Sequence, residues 1–220
     1  MADRNIRAMN RDLRFVSSRL KKAIQRGESV VVEGASHLHG LAAGLRSGDV
    51  TVIGDVDDYF GALNAGARLV VKGNSGRFTA DNMTSGEVIV EGSAGYGSGM
   101  GMYGGTLFVH GDSGDYTGVI NKSGTIIVLG NVGDYIGVYM VGGDIIVLGN
   151  TGRNLGDWMI RGAIYVEGDI GGLGHNTKLM RVAQDDCEKL GSLFKKYALH
   201  KDPLSFRKVT SESVRPFYGR

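Results

Sequence analysis

One glycine recurs along this chain at Gly34, Gly54, Gly73, Gly92, Gly111, Gly130, Gly149 and Gly168, twenty residues apart at the first step and nineteen at every later one. A fixed period of this size marks a stacked array, in which one short unit cannot bury its own apolar face and must lay it against the next. Each glycine follows a run of β-type residues, from Val30-Val31-Val32 and Val50-Thr51-Val52 through Leu107-Phe108-Val109 to Ile164-Tyr165-Val166. The residues four and two before the glycine are Val, Leu or Ile in all eight copies. Period-two alternation sends that pair to one face of a strand, and strands stacked in register turn it into a continuous interior. Glycine supplies 37 of 220 residues beside only two prolines, so collagen and Pro/Gly-rich disorder are poor explanations.

After the anchors come Asp55, Asn74, Ser93, Asp112, Asn131, Asn150 and Asp169, and then Gly76, Gly95, Gly114, Gly133, Gly152 and Gly171. Such residues suit turns and crowded corners. A further series, Asn64, Met83, Met102, Asn121, Met140 and Met159, sets methionines where a second side of each coil faces inward. The pattern predicts an all-β chain, a parallel β-helix of about eight coils over residues 28–175 with short flanking α-helices. At about 4.8 Å between coils, the column would be roughly 35–40 Å long.

Residues 1–27 hold the first helix, with Leu13, Val16, Leu20 and Ile24 on one face, an N-cap at Asn10 and a stop at Gly27. Residues 176–220 hold a second helix over 184–198, which gathers Leu190, Leu193, Phe194 and Tyr197, and an extended, partner-dependent tail from Pro203. Open ends of a β-helix expose unpaired strand edges, so each helix is expected to cap an end or lie along a side.

A formal net charge of +2 makes no electrostatic case for nucleic acid or an anionic membrane, although the first thirty residues carry an excess of Arg and Lys. No signal peptide or membrane span is visible, so a cytoplasmic protein is expected. With Cys187 as its lone cysteine, the chain cannot form an internal disulfide, a multi-thiolate zinc cage or an iron–sulfur cluster by itself.

The run Gly130-Asn131-Val132-Gly133-Asp134-Tyr135-Ile136-Gly137-Val138-Tyr139-Met140-Val141-Gly142-Gly143, and Gly149-Asn150-Thr151-Gly152-Arg153-Asn154-Leu155-Gly156 through Met159, resemble the GXGXG glycine-repeat domain at the C-terminal end of the large subunit of glutamate synthase. That resemblance covers roughly residues 28–175 and implies a right-handed β-helix. With its basic N-terminal helix, the segment Gly171-Gly172-Leu173-Gly174 and its helical tail, the whole chain is similar to free-standing subunits of this type: glutamate synthase domain-three proteins and the β-helix subunit of N-methylglutamate synthase. What the family implies is a non-catalytic scaffold, with no cofactor in this chain. An amidotransferase-type subunit would release ammonia from glutamine, and a synthase-type subunit with FMN and iron–sulfur clusters would perform the synthase chemistry. The repeat also resembles the glycine-repeat subunit of formylmethanofuran dehydrogenase and its counterpart in the related formyltransferase/hydrolase complex. Two further readings stay open: an independent enzyme using acids on the coil face, and a self-associating structural protein.

Other motifs carry bland readings. Gly95-Tyr96-Gly97-Ser98-Gly99-Met100-Gly101 superficially resembles a dinucleotide loop, but a strand follows it where that loop needs a helix. His37, His39, His110 and His175 have metal-ligand chemistry, yet no register gathers them. Asp57, Asp58, Asp115 and Asp134 fall at corners, where acids usually form a solvated face. Arg153 and Asn154 interrupt the best-matching motif and are candidates to meet a neighbouring subunit or line a passage.

The position three before each anchor should point outward, yet it holds Val31, Val70, Ile89, Phe108, Ile127, Ile146 and Tyr165, with only Thr51 polar. An apolar stripe of several hundred Å² needs a cover, either a helix of this chain or another subunit. On the second alternative Val70, Ile89, Phe108, Ile127, Ile146 and Tyr165 are interface candidates.

Overall fold

In the computed structural model, residues 3–216 are described. The strands β1 (Asp3–Arg7), β2 (Ser29–Glu33), β3 (Asp49–Ile53), β4 (Ala65–Val71), β5 (Ser85–Val90), β6 (Thr106–Val109), β7 (Thr125–Val128), β8 (Asp144–Val147), β9 (Ala163–Val166), β10 (Thr177–Arg181) and β11 (Arg207–Ser211) form one sheet. Its spatial order is β1 to β9 in sequence, then β11, then β10. β1 to β9 are all parallel, and each anchor lies just beyond one of the strands β2 to β9, in a β-solenoid of about seven turns.

The register is the one the nineteen-residue period requires. Val30, Val50, Leu69, Val88, Leu107, Ile126, Ile145 and Ile164 pair in one column, and Val32, Val52, Val71, Val90, Val109, Val128, Val147 and Val166 in another. Every one of these side chains is buried, and all join a single interior cluster. A second line of parallel bridges runs through Val56, Ser75, Ala94, Ser113, Val132, Thr151 and Ile170. Met83, Met102, Met140 and Met159 are buried on another side of the coil. Asn64 and Asn121 replace methionine at this position without leaving an orphan amide, because each bonds both backbone groups of the residue three further on. Asn121 accepts from the Gly124 N–H at 2.9 Å and donates to the Gly124 carbonyl at 2.9 Å, and Asn64 treats Ala67 in the same way.

The glycines serve two different needs. At Gly130 the backbone φ is not positive, and the demand is space: a Cβ there would lie 2.7 Å from the Gly111 carbonyl carbon of the preceding coil. At Gly118, with φ of 70°, a Cβ would also project inward to 2.5 Å from Ile145 Cδ1. Both conditions exclude other residues there.

The helix α1 (Leu13–Gln25) starts at Asp12, whose carboxylate accepts the Phe15 N–H at 2.7 Å. The expected cap, Asn10, instead takes a left-handed turn conformation two residues earlier. Val16, Leu20 and Ala23 join the interior cluster beside Leu38, Leu41 and Leu45 of the first coil, so α1 closes that end of the column. β1, which the helical pattern of residues 1–27 does not announce, lies alongside β2.

The other end differs from expectation more sharply. β11 inserts antiparallel between β9 and β10, with Val209 opposite Ile164 and fully buried. The tail from Pro203 thus returns to this chain's own sheet as β11, while its last four residues lie outside the described residues. An added strand pair satisfies the backbone groups that β9 would otherwise present at an open edge.

Candidate interaction surfaces

The outward stripe is covered by its own chain. Phe108, Ile127, Ile146 and Tyr165 are buried in a second apolar cluster with Leu190 and Phe194 of α2 (Gln184–Lys196) and with Phe206, and Ile89, Leu193 and Tyr197 pack around it. Val70 is buried as well. Four of the expected interface residues, Phe108, Ile127, Ile146 and Tyr165, are thus the seat of α2 and offer no free surface, and Ile89 packs at its margin. Sequence could not choose between the two covers because the helical face of α2 suits either.

Polar contacts fasten this cover. Asp186, at the start of α2, accepts the Tyr165 hydroxyl at 2.6 Å, the Ala183 N–H at 2.9 Å, and Lys208 Nζ of β11 at 2.8 and 2.9 Å. Burial pushes the Asp186 carboxyl up, but the hydrogen bonds from Lys208, Tyr165 and Ala183 outweigh it and bring it down to about 2. Burial first, and then the bond to Asp186, push the Tyr165 hydroxyl well above its ordinary value. Further along, the Tyr197 hydroxyl donates to Glu87 at 2.6 Å, and Lys189 pairs with Asp144 at 2.6 Å.

The corner acids are occupied structurally. Asp58 accepts the Arg77 N–H at 2.7 Å, Asp115 the Asp134 N–H at 2.8 Å, and Asp134 the Arg153 N–H at 2.7 Å. A parallel ladder runs from Asp55 through Asn74, Ser93, Asp112, Asn131 and Asn150, each side-chain oxygen accepting the N–H of its counterpart nineteen residues on, at 2.7–3.1 Å. Carboxylates placed this way hold coils together. The histidines lie far apart in the coil sequence: His37 bonds the Arg11 carbonyl, His110 lies against Phe108, and His175 bonds Asp157. His39 comes within 3.5 Å of Asp57, and with Asp58 they form a possible three-ligand group, the one such group among the described residues. Its acids are already engaged, Asp57 by the Asp58 N–H and Asp58 by the Arg77 N–H. Gly95–Gly101 forms the turn between β5 and β6, with no helix after it.

A different face carries apolar surface that remains open. Tyr59, Phe78, Tyr116, Tyr135 and Asn154 occupy one corner position of successive coils, all with left-handed φ of 57–62°. Their coil-four counterpart is Gly97, where a Cβ would meet the Phe78 ring at 2.8 Å, and the ring of Tyr96 stands in the row instead. The ring centroids step along the column at 4.9 Å (Tyr59 to Phe78), 5.6 Å (Phe78 to Tyr96), 5.1 Å (Tyr96 to Tyr116) and 5.0 Å (Tyr116 to Tyr135). Four residues on, a second row of left-handed corners holds Leu63, Asn82, Gly101, Ile120, Tyr139 and Trp158.

Left-handed backbone costs a non-glycine residue about 1–2 kcal/mol. Here it aims the N–H along the column: Tyr59, Tyr116 and Tyr135 donate to the carbonyls of Arg77, Asp134 and Arg153 in the next coil at 2.8–2.9 Å. The strain therefore belongs to the turn, while the choice of aromatic side chains does not. Tyr59, Leu63, Ile120 and Tyr139 are 43%, 59%, 41% and 45% exposed. Sequence reasoning overlooked this band because it followed positions near the anchors; the same nineteen-residue count applied to Tyr59, Phe78, Tyr116 and Tyr135 would have found it. Arg153 and Asn154 sit where the aromatic row ends, Arg153 exposed and Asn154 half-buried.

A family model described as the GXGXG motif matches the chain twice, over residues 14–123 and 100–197. The chain belongs to the GXGXG-motif family. The matched residues include anchor and corner glycines of the coils, among them Gly118. No curated protein matches the chain. Among the described residues, no helix is long and apolar enough to cross a membrane.

Proposed function

We propose that this GXGXG protein is a non-catalytic scaffold subunit of a glutamate synthase or N-methylglutamate synthase type complex. In that assembly it braces an amidotransferase-type subunit and a synthase-type subunit that carries FMN and iron–sulfur clusters. Family membership supports the glutamate-synthase side of the reading. The observation that carries the scaffold role is the band of Tyr59, Phe78, Tyr96, Tyr116 and Tyr135 with Leu63, Ile120 and Tyr139, an open apolar face on a rigid column whose acids and amides are engaged in holding coils together. Aromatic residues are enriched where protein surfaces meet, since they bury much area at low entropic cost. A synthase-type subunit seated on this band would be held at fixed distance and orientation by the column.

The test is co-purification of a tagged copy from its source cells, followed by the flavin absorbance of the eluate. A yellow, flavin-bearing partner is expected with the unaltered chain and at least a tenfold lower yield with Tyr116→Glu/Ile120→Glu. A chain that elutes colourless, or a flavin partner indifferent to both substitutions, would remove the reading. Native mass spectrometry separates it from self-association, which gives homo-oligomers with no foreign subunit.

A further inference from the structure

The capping end of the column has an electrostatic character that the scaffold role does not use. Residues 1–28 contain eight Arg and Lys against three Asp and Glu, whereas the whole chain carries only +2. Three chain segments bring part of this charge together: Arg4 on β1, Arg19, Lys22 and Arg26 along the last turns of α1, and Glu28 before β2 surround a surface cavity of about 220 Å³ with Ala23 at its wall.

Several cations elsewhere are neutralised by acids of the same chain. Lys189 pairs with Asp144, Lys201 with Glu167, Lys208 with Asp186, Lys196 and Arg68 with Glu87. Among the described residues, Arg4, Lys22 and Arg26 have no ion pair or hydrogen-bond partner for their side chains, and Arg19 has only the Phe15 ring, 4.6 Å away. The helix dipole accounts for part of this pattern, because cations are favoured at a helix C-terminus. It covers Lys22 and Arg26 but not Arg4, which comes from a neighbouring strand and adds to their mutual repulsion. Like charges held around a concavity raise the local concentration of an anion and gain most from one that carries several charges.

We propose that this cavity is a binding site for a phosphate-class anion of two or more charges, a diphosphate either free or as the end of a nucleotide. Four cations against Glu28 leave an excess of three charges, which a monocarboxylate could not balance. Three of the four cations are guanidinium groups, whose fork of donors matches two oxygens of one phosphoryl group. The cavity is small and bounded by three segments, which suits a compact anion better than an extended polyanion strand. Because the site lies on the α1 cap, it does not rest on the partner reading above.

Calorimetry on the purified full chain at physiological ionic strength tests this, with pyrophosphate as the probe and sulfate, glutarate, ADP and a single-stranded RNA 20-mer as comparators. Saturable one-to-one pyrophosphate binding is expected, at least tenfold tighter than sulfate or glutarate. Arg4→Gln/Arg26→Gln should weaken it tenfold or more, Arg4→Lys/Arg26→Lys to a smaller degree, and Lys178→Gln at the far end of the column not at all. Unchanged melting of the variants by circular dichroism would show that binding, not folding, was lost. ADP at least as tight as pyrophosphate supports a nucleotide source, and weaker ADP supports the free anion. The proposal is overturned by sulfate binding as well as pyrophosphate, by a glutamine double variant that still binds, or by RNA binding more tightly with the same arginines uninvolved.

Discussion

Two long faces of this column carry apolar side chains at nineteen-residue spacing, and the chain treats them in opposite ways. On the strand face, Phe108, Ile127, Ile146 and Tyr165 lie beneath α2, locked there by the Tyr165–Asp186–Lys208 contacts. On the corner face, Tyr59, Leu63, Ile120 and Tyr139 remain half-exposed, and the aromatic rings stack on one another instead of on a cover. The difference shows that an outward apolar stripe in a repeat protein has no fixed meaning. It becomes core where the chain has a helix to lay on it and stays open where it has none.

The sharpest way to break this comparison is to place a charge on each face. Ile127→Glu would bury a carboxylate under α2 with no partner and should cost about 4 kcal/mol in chemical denaturation. Tyr116→Glu on the corner face should cost under about 1 kcal/mol in the same measurement. Equal losses would mean that the two faces are not distinct. The next effect concerns the fastening. Asp186→Ala leaves the part-exposed Lys208 ammonium and the buried Tyr165 hydroxyl without this partner, with an expected cost of about 2 kcal/mol.

The same carboxylate gives the strand face a pH dependence in the acid range. Its folded value of about 2 lies below the ordinary 3.8, so its stabilisation is complete above about pH 4.5 and is lost as pH falls toward 2. Hydrogen exchange should show α2 amides losing protection across that window before those of β6 to β8. A comparable effect distinguishes interior from surface polar groups. Asn121→Ala removes both bonds to Gly124 inside the column and should cost about 2 kcal/mol, whereas Asp112→Ala, an exposed rung of the ladder, should cost about 1 kcal/mol or less.

Much of the fold was legible because a solenoid repeats one local environment. Eight copies of the same inward pair, Val30/Val32 to Ile164/Val166, make the strand period, the register and the core residues visible without knowledge of any distant contact. The ends were less legible, since they occur once: Asp12 displaced Asn10 as the cap of α1, and β1, β10 and β11 carry no repeat signal. Of the candidate site, Arg153 and Asn154 stand out in the sequence and the nineteen-residue recurrence of Tyr59, Phe78, Tyr116 and Tyr135 can be counted there, but that these rings form one open face cannot. That row depends on a left-handed corner which aromatic residues seldom occupy, so their identities do not announce the backbone beneath them.

By itself, the sequence determined that coils must stack, which pair of residues fills their interior, and that reactive thiol chemistry is confined to Cys187. Periodicity suffices for these because each depends on contacts between equivalent residues. Only the tertiary structure decided that α2 takes the strand face, that the tail returns as β11, and that Arg4 of β1 joins the cations of α1 around one cavity. Those outcomes join segments that share no period, and what selects them is the fit of particular surfaces in space.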